Sequence, residues 1–305
     1  MSTPVPDAPA VAVVVVSFNA REALVACLDS LPRDAGSRLE TVVVDNASDD
    51  GSAAAAAERP DPPRVIANPD NVGFSRACNQ GMRATAAPLV LFLNPDATVT
   101  KGAIGVLSGR LDDQPDVGAV GPLTRQPDGT VQVSTGPDLT LFGERRQRQL
   151  VLGVRDRAPE ALRKAAAAHA HEHDADWVSG ACLMARREAL EAVGGFDEAF
   201  FLYEEDADLC RRLRAAGWRV VFTPAAEVRH ELGRSMEQAP ERARHEYHRS
   251  HLLYYRKHNG PLAQGALRLL LLGRGLAGWA RGVTSGDRTG RSTARALVRL
   301  SLGAP

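Results

Sequence analysis

The first hundred residues alternate between short apolar runs and segments with helical spacing. Val11-Ala12-Val13-Val14-Val15-Val16 is unbroken, far too short to cross a bilayer and suited to a strand buried on both faces. Residues 40–45, 64–67 and 89–93 read the same way, and residues 20–31, 51–58 and 74–86 between them predict helices. Strand and helix in alternation predict βαβ units and a parallel sheet. The ligand crevice of such a sheet lies beyond the carboxyl ends of its strands. Those ends carry Ser17-Phe18-Asn19, Asp45 through Ser52, Asn68 through Phe74, and Asn94-Pro95-Asp96. The crevice is therefore expected to be polar and rich in Asp and Asn.

Further along, residues 115–135 predict strands and turns, punctuated by Pro122, Pro127, Asp128 and Gly129. Residues 138–175 are rich in Arg, Ala and His and predict one or two helices and a loop. His169, His171 and His173 are read as part of that solvated loop. The apolar segment 177–185 leads into a helix at 186–193, and a strand is expected at 218–223. Between them, four carboxylates (Glu204, Glu205, Asp206 and Asp208) follow the aromatic run Phe200-Phe201-Leu202-Tyr203. Leu209 and Leu213 stand one helical turn apart and predict a core-facing stripe, with Arg211, Arg212 and Arg214 facing away and Gly217 as the stop. The acids then fall in or before the first turn, where the macrodipole favours negative charge. They are either an ordinary acidic helix start or a general base at the mouth of a cleft.

Composition narrows the class. The 305 residues carry 37 basic and 37 acidic side chains, which argues against bulk nucleic-acid binding. Cys27, Cys78, Cys182 and Cys210 show no close pairing, so neither a zinc site nor a disulfide framework is expected. Met1-Ser2-Thr3-Pro4 lacks a basic n-region, so a cytoplasmic protein without signal peptide is expected. From residue 262 onward, Leu267 through Leu272, Leu276, Trp279 and Val283 are mixed with seven arginines. Arginine breaks up the apolar run, so the tail is expected either to lie at a membrane surface, at the inner face of the plasma membrane, or to pack as a helix. Gly273, Gly275 and Gly278 weaken its helix propensity.

The candidate chemistry is that of oxygen ligands and a carboxylate base. No GxGxxG fingerprint follows the first strand, and there is no Walker loop or nucleophile elbow. Asp45 is suited to bind a nucleoside or to close an Asx turn. Asp96 is suited to hold Mg²⁺ or Mn²⁺ or to cap a Pro turn, and His230 would add an imidazole ligand. Trp177 and Tyr203 offer flat aromatic faces that would stack on a ligand or pack in the core.

The order Val-Ser-Phe-Asn, Val-Asp-Asn-Ala-Ser, Asn-x-Gly-Phe, Leu-Asn-Pro-Asp and Gly-Gly-Phe-Asp-Glu-x-Phe-Phe-Leu-Tyr-x-Glu-Asp-x-Asp-Leu resembles the family 2 glycosyltransferases, and within them the rhamnosyltransferase-like branch. The match runs from residue 11 to about 235. The resemblance implies a GT-A fold: an α/β, Rossmann-like mixed sheet flanked by helices. It implies a catalytic domain over 11–235 (donor half 11–100, acceptor half 101–235) between a flexible N-terminus, 1–10, and a helical C-terminal extension, 236–305. It also implies an inverting enzyme that uses a divalent cation and a nucleotide-sugar donor, with dTDP-L-rhamnose the first expectation. The implied acceptor is a cell-surface glycan or a lipid-linked saccharide. By position, Asp206 matches the base, Asp96 and His230 the metal ligands, and Ser17, Asn19, Asp45, Asn71, Gly73, Asn79 and Asn94 the donor site. Trp177, Tyr203 and Glu205 are acceptor-side candidates. Asn94 stands where the family's metal motif has its first Asp, and Asn46 where a second Asp is frequent. A silent nucleotide-sugar-binding module or a sugar nucleotidyltransferase remains the alternative.

Overall fold

The computed structural model describes residues 10–32, 39–231 and 240–303. The expected flexible N-terminus lies outside the described residues except for Ala10, as does the stretch 232–239 that leads into the expected extension. Four parallel strands open the chain: β1 (Val11–Ser17), β2 (Leu39–Asp45), β3 (Arg64–Ala67) and β4 (Leu89–Leu93). Helices α1 (Arg21–Ser30), α2 (Ser52–Ala57) and α3 (Phe74–Arg83) connect them. All seven residues of β1 are buried. Val11, Val13 and Val15 pack with Leu24, Leu28 and Leu107, while Ala12, Val14 and Val16 pack with Cys78, Met82 and Phe196 on the other face.

The second half follows as β5 (Ala97–Val99), α4 (Ala103–Asp113), β6 (Val117–Arg125), β7 (Thr135–Gly136), α5 (Leu141–Arg155), α6 (Pro159–Ala168) and β8 (His173–Asp174). Next come β9 (Trp177–Val178), β10 (Cys182–Arg186), α7 (Arg187–Ala192), α8 (Glu205–Ala215) and β11 (Arg219–His230). The main sheet runs β3-β2-β1-β4-β10-β6-β11-β5, with β8 on β11 and a separate β7-β9 pair. β10 is antiparallel to both β4 and β6, so the sheet is mixed. Its first residue, Cys182, pairs with Leu93, which brings the loop before β10 to the carboxyl end of β4.

β11 is longer than the strand expected at 218–223. Its register shifts between Thr223 and Glu227, and Pro224, which has no N–H to give a ladder, sits within the shift. Past it, β11 pairs with β5 and sets His230 opposite Ala97.

The chain ends in α9 (Pro240–His258), α10 (Pro261–Thr284) and α11 (Arg288–Ser301). Tyr254 and Tyr255 of α9 and Leu267 and Leu271 of α10 form a core cluster with Phe200 and Ala207. The tail therefore packs on the acidic segment through one face. α10 and α11 cross at small residues. A Cβ on Gly275 would lie 2.7 Å from Val298 Cγ2, and one on Gly282 2.7 Å from Arg291 Cγ. Gly275 and Gly278 thus lie where the neighbouring helix approaches, whereas Gly273 has nothing within 4 Å.

Two expectations need correction. Arg211, Arg212 and Arg214 do not face away. Arg212 pairs with Asp208 at 2.7 Å, Arg214 pairs with Asp138 and Asp176, and Arg211 donates to the C=O of His258. Long guanidinium stems can bury while their heads meet carboxylates from other elements, which helical periodicity does not reveal. His169 is not solvated either. It is buried, receives the Ser134 N–H on Nε2 and faces Ala165 C=O with Nδ1, and burial pushes its pKa down.

Candidate active site

The acidic segment is held in an uncommon backbone conformation. Tyr203 (φ 71°) and Glu204 (φ 66°) are both left-handed, though neither is glycine. Such residues persist where the surroundings over-determine them. Here Phe74 N–H donates to Phe201 C=O at 2.7 Å, and Ser250 Oγ donates to Leu202 C=O at 2.8 Å. Glu204 Oε1 meets His251 Nδ1 of α9 at 3.0 Å, and His251 Nε2 meets Glu144 at 3.1 Å. Burial alone would lower the His251 pKa. The two carboxylates reverse this and raise it to about 10.

The four acids then separate by environment. Asp208 is fully buried and takes His258 at 2.6 Å, Lys257 at 2.7 Å and Arg212 at 2.7 Å. Burial pushes its carboxyl up, but these partners overcome it and hold the pKa at about 2. It is a structural anion. Glu205 is buried, its Oε2 has no hydrogen-bond partner, and burial with the neighbouring Asp206 raises its pKa well above the ordinary range.

Asp206 is half-buried. Gly180 N–H donates to its Oδ2 at 2.8 Å and Ala207 N–H to its Oδ1 at 2.8 Å. Burial raises its pKa, partly opposed by those two bonds. A carboxylate with a fixed orientation and a raised pKa fits a general base.

A second centre lies at the end of β4. His230 Nε2 is 3.1 Å from Asp96 Oδ1 and 3.2 Å from Asn94 Nδ2. Its Nδ1 faces Gln132 Oε1 at 3.1 Å. An Nδ1–H donated to Gln132 would leave the Nε2 lone pair facing Asp96 and Asn94. An aspartate oxygen and an imidazole lone pair, the latter oriented from behind, suit Mg²⁺ or Mn²⁺. Among the described residues no group of three or more His, Cys, Asp or Glu side chains converges. A cation here would draw its remaining oxygens from water or a ligand.

The ends of β1 to β3 form a linked polar floor. Asp45 accepts from Ser48 N–H at 3.0 Å and Ser48 Oγ–H at 2.6 Å, so the Asx turn is present. Ser48 Oγ in turn accepts from Asn19 N–H, and Asn19 Oδ1 accepts from Asp49 N–H. Ser17 lies beneath them with no exposed surface and an unpartnered hydroxyl. Asn46, Asn68 and Gln80 join amide to amide, and Asn46 Nδ2 donates to Gly73 C=O. Asn71 Oδ1 accepts Gly73 N–H. Gly73 has φ 88°, and a Cβ there would stand 2.7 Å from Phe201 O, so the loop at 71–73 is pressed against the acidic segment.

Asn79 departs from its expected place. It is buried, its Oδ1 accepts Phe196 N–H, and its Nδ2 donates to Phe196 C=O and Glu198. Both ends of the amide are spent on the turn at 196–198, so its geometry is that of a clamp rather than a donor contact. Trp177 donates its indole N–H to Pro137 C=O and packs against two core clusters. Tyr203 stands edge-on to Tyr247, 6.0 Å between centroids. Gly180, Gln132, His251 and His258 were not singled out from sequence. Each acts through a contact made by folding, and no local motif marks them.

A four-strand parallel half continued through an antiparallel β10 and a helix-borne acidic segment is the architecture of the GT-A glycosyltransferases. The chain belongs to glycosyltransferase-like family 2, whose family model matches residues 8–248. It is 33% identical over 275 residues to the N-acetylglucosaminyl-diphospho-decaprenol L-rhamnosyltransferase of Mycobacterium tuberculosis, covering 86% of this chain and 89% of that one. Among solved structures, the mannosyltransferase PcManGT from Pyrobaculum calidifontis, in complex with GDP-Man and Mn²⁺, superposes with a TM-score of 0.58 at 20% identity, over 97% of this chain and 81% of that one. S. aureus TarS in complex with UDP-GlcNAc gives 0.52 at 16% identity, over 80% of this chain and 66% of that one.

Proposed function

We propose that this glycosyltransferase inverts the anomeric centre of a nucleotide-diphospho-sugar, with Asp206 as the base. The observation that carries the reading is the seating of Asp206 on Gly180 N–H, one residue from the peptide that binds Asn94 beside Asp96 and His230. An acceptor hydroxyl oxygen attacks the anomeric carbon and its proton passes to Asp206. The bond from that carbon to the diphosphate breaks, and its electron pair leaves with the nucleoside diphosphate. One base suffices because the leaving group is already good. Asp96 and His230 would hold a divalent cation, which supplies charge to offset the departing diphosphate. Asp45, with Asn19 and Ser17, lies where the nucleoside would enter, and Asn71, Gly73 and Asn94 line the route to the sugar.

The name of the M. tuberculosis relative supports L-rhamnose as the sugar and a polyprenyl-diphosphate-linked saccharide as the acceptor; dTDP-L-rhamnose is the donor that the sequence resemblance implies. The test is transfer from a panel of dTDP-, UDP- and GDP-sugars to a polyprenyl-diphosphate N-acetylglucosamine, with the product's anomeric configuration read by NMR. Transfer from dTDP-L-rhamnose with inversion supports the reading. Retention of configuration would remove the single-base mechanism. Donor binding with neither transfer nor hydrolysis would favour a silent binding module.

A further inference from the structure

The outer face of α10 is apolar along the whole helix and lies open. Leu262, Leu269, Leu276 and Val283 recur every seventh residue and are 90, 71, 53 and 47% exposed. The positions that share their face, Gly265, Ala266, Gly273, Ala277 and Ala280, are also exposed and also apolar. Trp279 and Leu270 border it, both exposed. Twenty-four residues make a helix about 36 Å long. A continuous exposed apolar strip of that length marks an interaction surface.

Charge decides what covers it. Arg268, Arg274 and Arg281 flank the strip, and α10 carries no acid. On the adjoining helix Arg288, Arg291, Arg295 and Arg299 line one groove of about 610 Å³ together with His245. None of these four arginines forms an ion pair among the described residues, whereas Arg212, Arg214 and His251 elsewhere in the fold pair with Asp208, Asp138 and Glu204. Asp287 is the single acid from residue 261 onward. Two copies pressed strip to strip would bring arginine borders against arginine borders. An anionic surface with an apolar interior satisfies both features. No helix among the described residues is long and apolar enough to cross a membrane.

We propose that the α10–α11 hairpin seats the protein on an anionic phospholipid bilayer. The outer face of α10 enters the interface, and Arg274, Arg281 and the four arginines of α11 meet the lipid phosphates, while Arg268 stays on the Leu300 and Ser301 carbonyls. The seam side of α10 stays on the protein, where Leu267 and Leu271 pack on Tyr254 and Tyr255. The hairpin thereby packs, through that cluster, on Phe200 and Ala207 at the acidic segment, and membrane contact would orient the candidate site. This proposal stands independently of which sugar or acceptor is used.

The test is co-sedimentation of the full chain with phosphatidylcholine vesicles, with and without phosphatidylglycerol, at low and high salt. The wild type is expected to bind the anionic vesicles and to be released by salt. Leu269→Glu with Leu276→Glu should reduce partitioning by about tenfold or more, and Arg291→Gln with Arg295→Gln should remove most of the preference for phosphatidylglycerol. Both should keep the wild-type circular dichroism spectrum and transfer to a short soluble acceptor. Should the leucine variant fail to fold, quenching of Trp279 by brominated lipid in the wild type, absent in Trp279→Phe, carries the same information. A wild type that stays in the supernatant at low salt overturns the proposal. So does a dimer in analytical ultracentrifugation that Leu269→Glu dissociates, which would make the strip an interface between copies.

Discussion

Asp206 and Asn94 hold the two ends of one dipeptide, Gly180-Ala181. Gly180 N–H donates to Asp206 Oδ2 at 2.8 Å, and Ala181 C=O accepts Asn94 N–H at 2.9 Å. The carboxylate from α8 and the polar end of β4 are thus registered by the start of β10, not by their own segments. Asp206 and Asn94 are more than a hundred residues apart in sequence. Two hydrogen bonds to Gly180-Ala181 tie the two segments together.

Asp206→Asn is expected to bind nucleoside diphosphate like the wild type and to lose about 10²–10⁴ of transfer rate. Because burial raises the Asp206 pKa, the acidic limb of kcat/KM should lie above the ordinary aspartate range, with activity falling as pH drops and the base protonates. A pH–rate profile of radiolabelled transfer checks both. Wild-type turnover in Asp206→Asn would end the assignment.

Asp96→Ala should weaken nucleoside-diphosphate binding in the presence of Mn²⁺ and leave binding in chelator unchanged. Gln132→Leu removes the partner of His230 Nδ1 and should weaken Mn²⁺ binding about 10–100-fold while sparing the fold. Calorimetric titration with and without chelator reads both. Identical isotherms in metal and chelator for the wild type would show that no cation takes part in donor capture.

Asp208 predicts a pH dependence of stability. Its carboxyl pKa is held at about 2, below the unfolded value near 4, so its contribution is complete above about pH 4 and is lost as pH falls toward 2. The shift corresponds to about 2 kcal/mol. Asp208→Asn leaves Arg212 and His258 facing a neutral group and should cost about 3–5 kcal/mol at neutral pH. In urea titrations from pH 7 to pH 2 the gap between variant and wild type should narrow only below pH 4. A gap that stays constant to pH 2 contradicts the assignment.

Gly73→Ala places a methyl 2.7 Å from the Phe201 carbonyl oxygen at a left-handed backbone position. Both effects are unfavourable, together about 1–3 kcal/mol. The bond from Phe74 N–H to Phe201 C=O ties the same two segments, so the variant should lose donor affinity as well as melting temperature. A melting temperature equal to wild type would show that the two segments are free to separate.

The first four strands were legible because their information is local. The expected strands 11–16, 40–45, 64–67 and 89–93 lie within one residue of β1 to β4 at each end, since buried parallel strands are continuous apolar runs. The start of α8 at Glu205 and its left-handed Gly217 beyond the end were likewise written in caps and turns. What sequence could not supply was partnership. Arg212 and Arg214 read as solvent-facing because their carboxylates lie on other turns and other elements. Asn79 read as a donor contact because its motif gives its neighbours, not the turn at Phe196 that consumes its amide. His251 and His258, which fix two of the four acids, lie more than forty residues from them on a helix with no motif. Of the tail's two possibilities, the packed helix describes one face of α10, and the membrane surface is the proposal for the other.

The insertion of β10 into the middle of the sheet also governs the order of assembly. β4 can pair with β1 once residue 93 has been made, but its other edge waits for Cys182–Arg186, about 90 residues later. At ordinary rates of synthesis that is about 5–20 s. Throughout it, Leu89–Leu93, five buried apolar residues in the finished fold, forms an uncovered strand edge. Chains arrested between these two points should therefore aggregate, and release of stalled nascent chains into a sedimentation assay would measure it. The strand that joins the two halves of the enzyme is thus also the one on which the growing chain depends for its solubility.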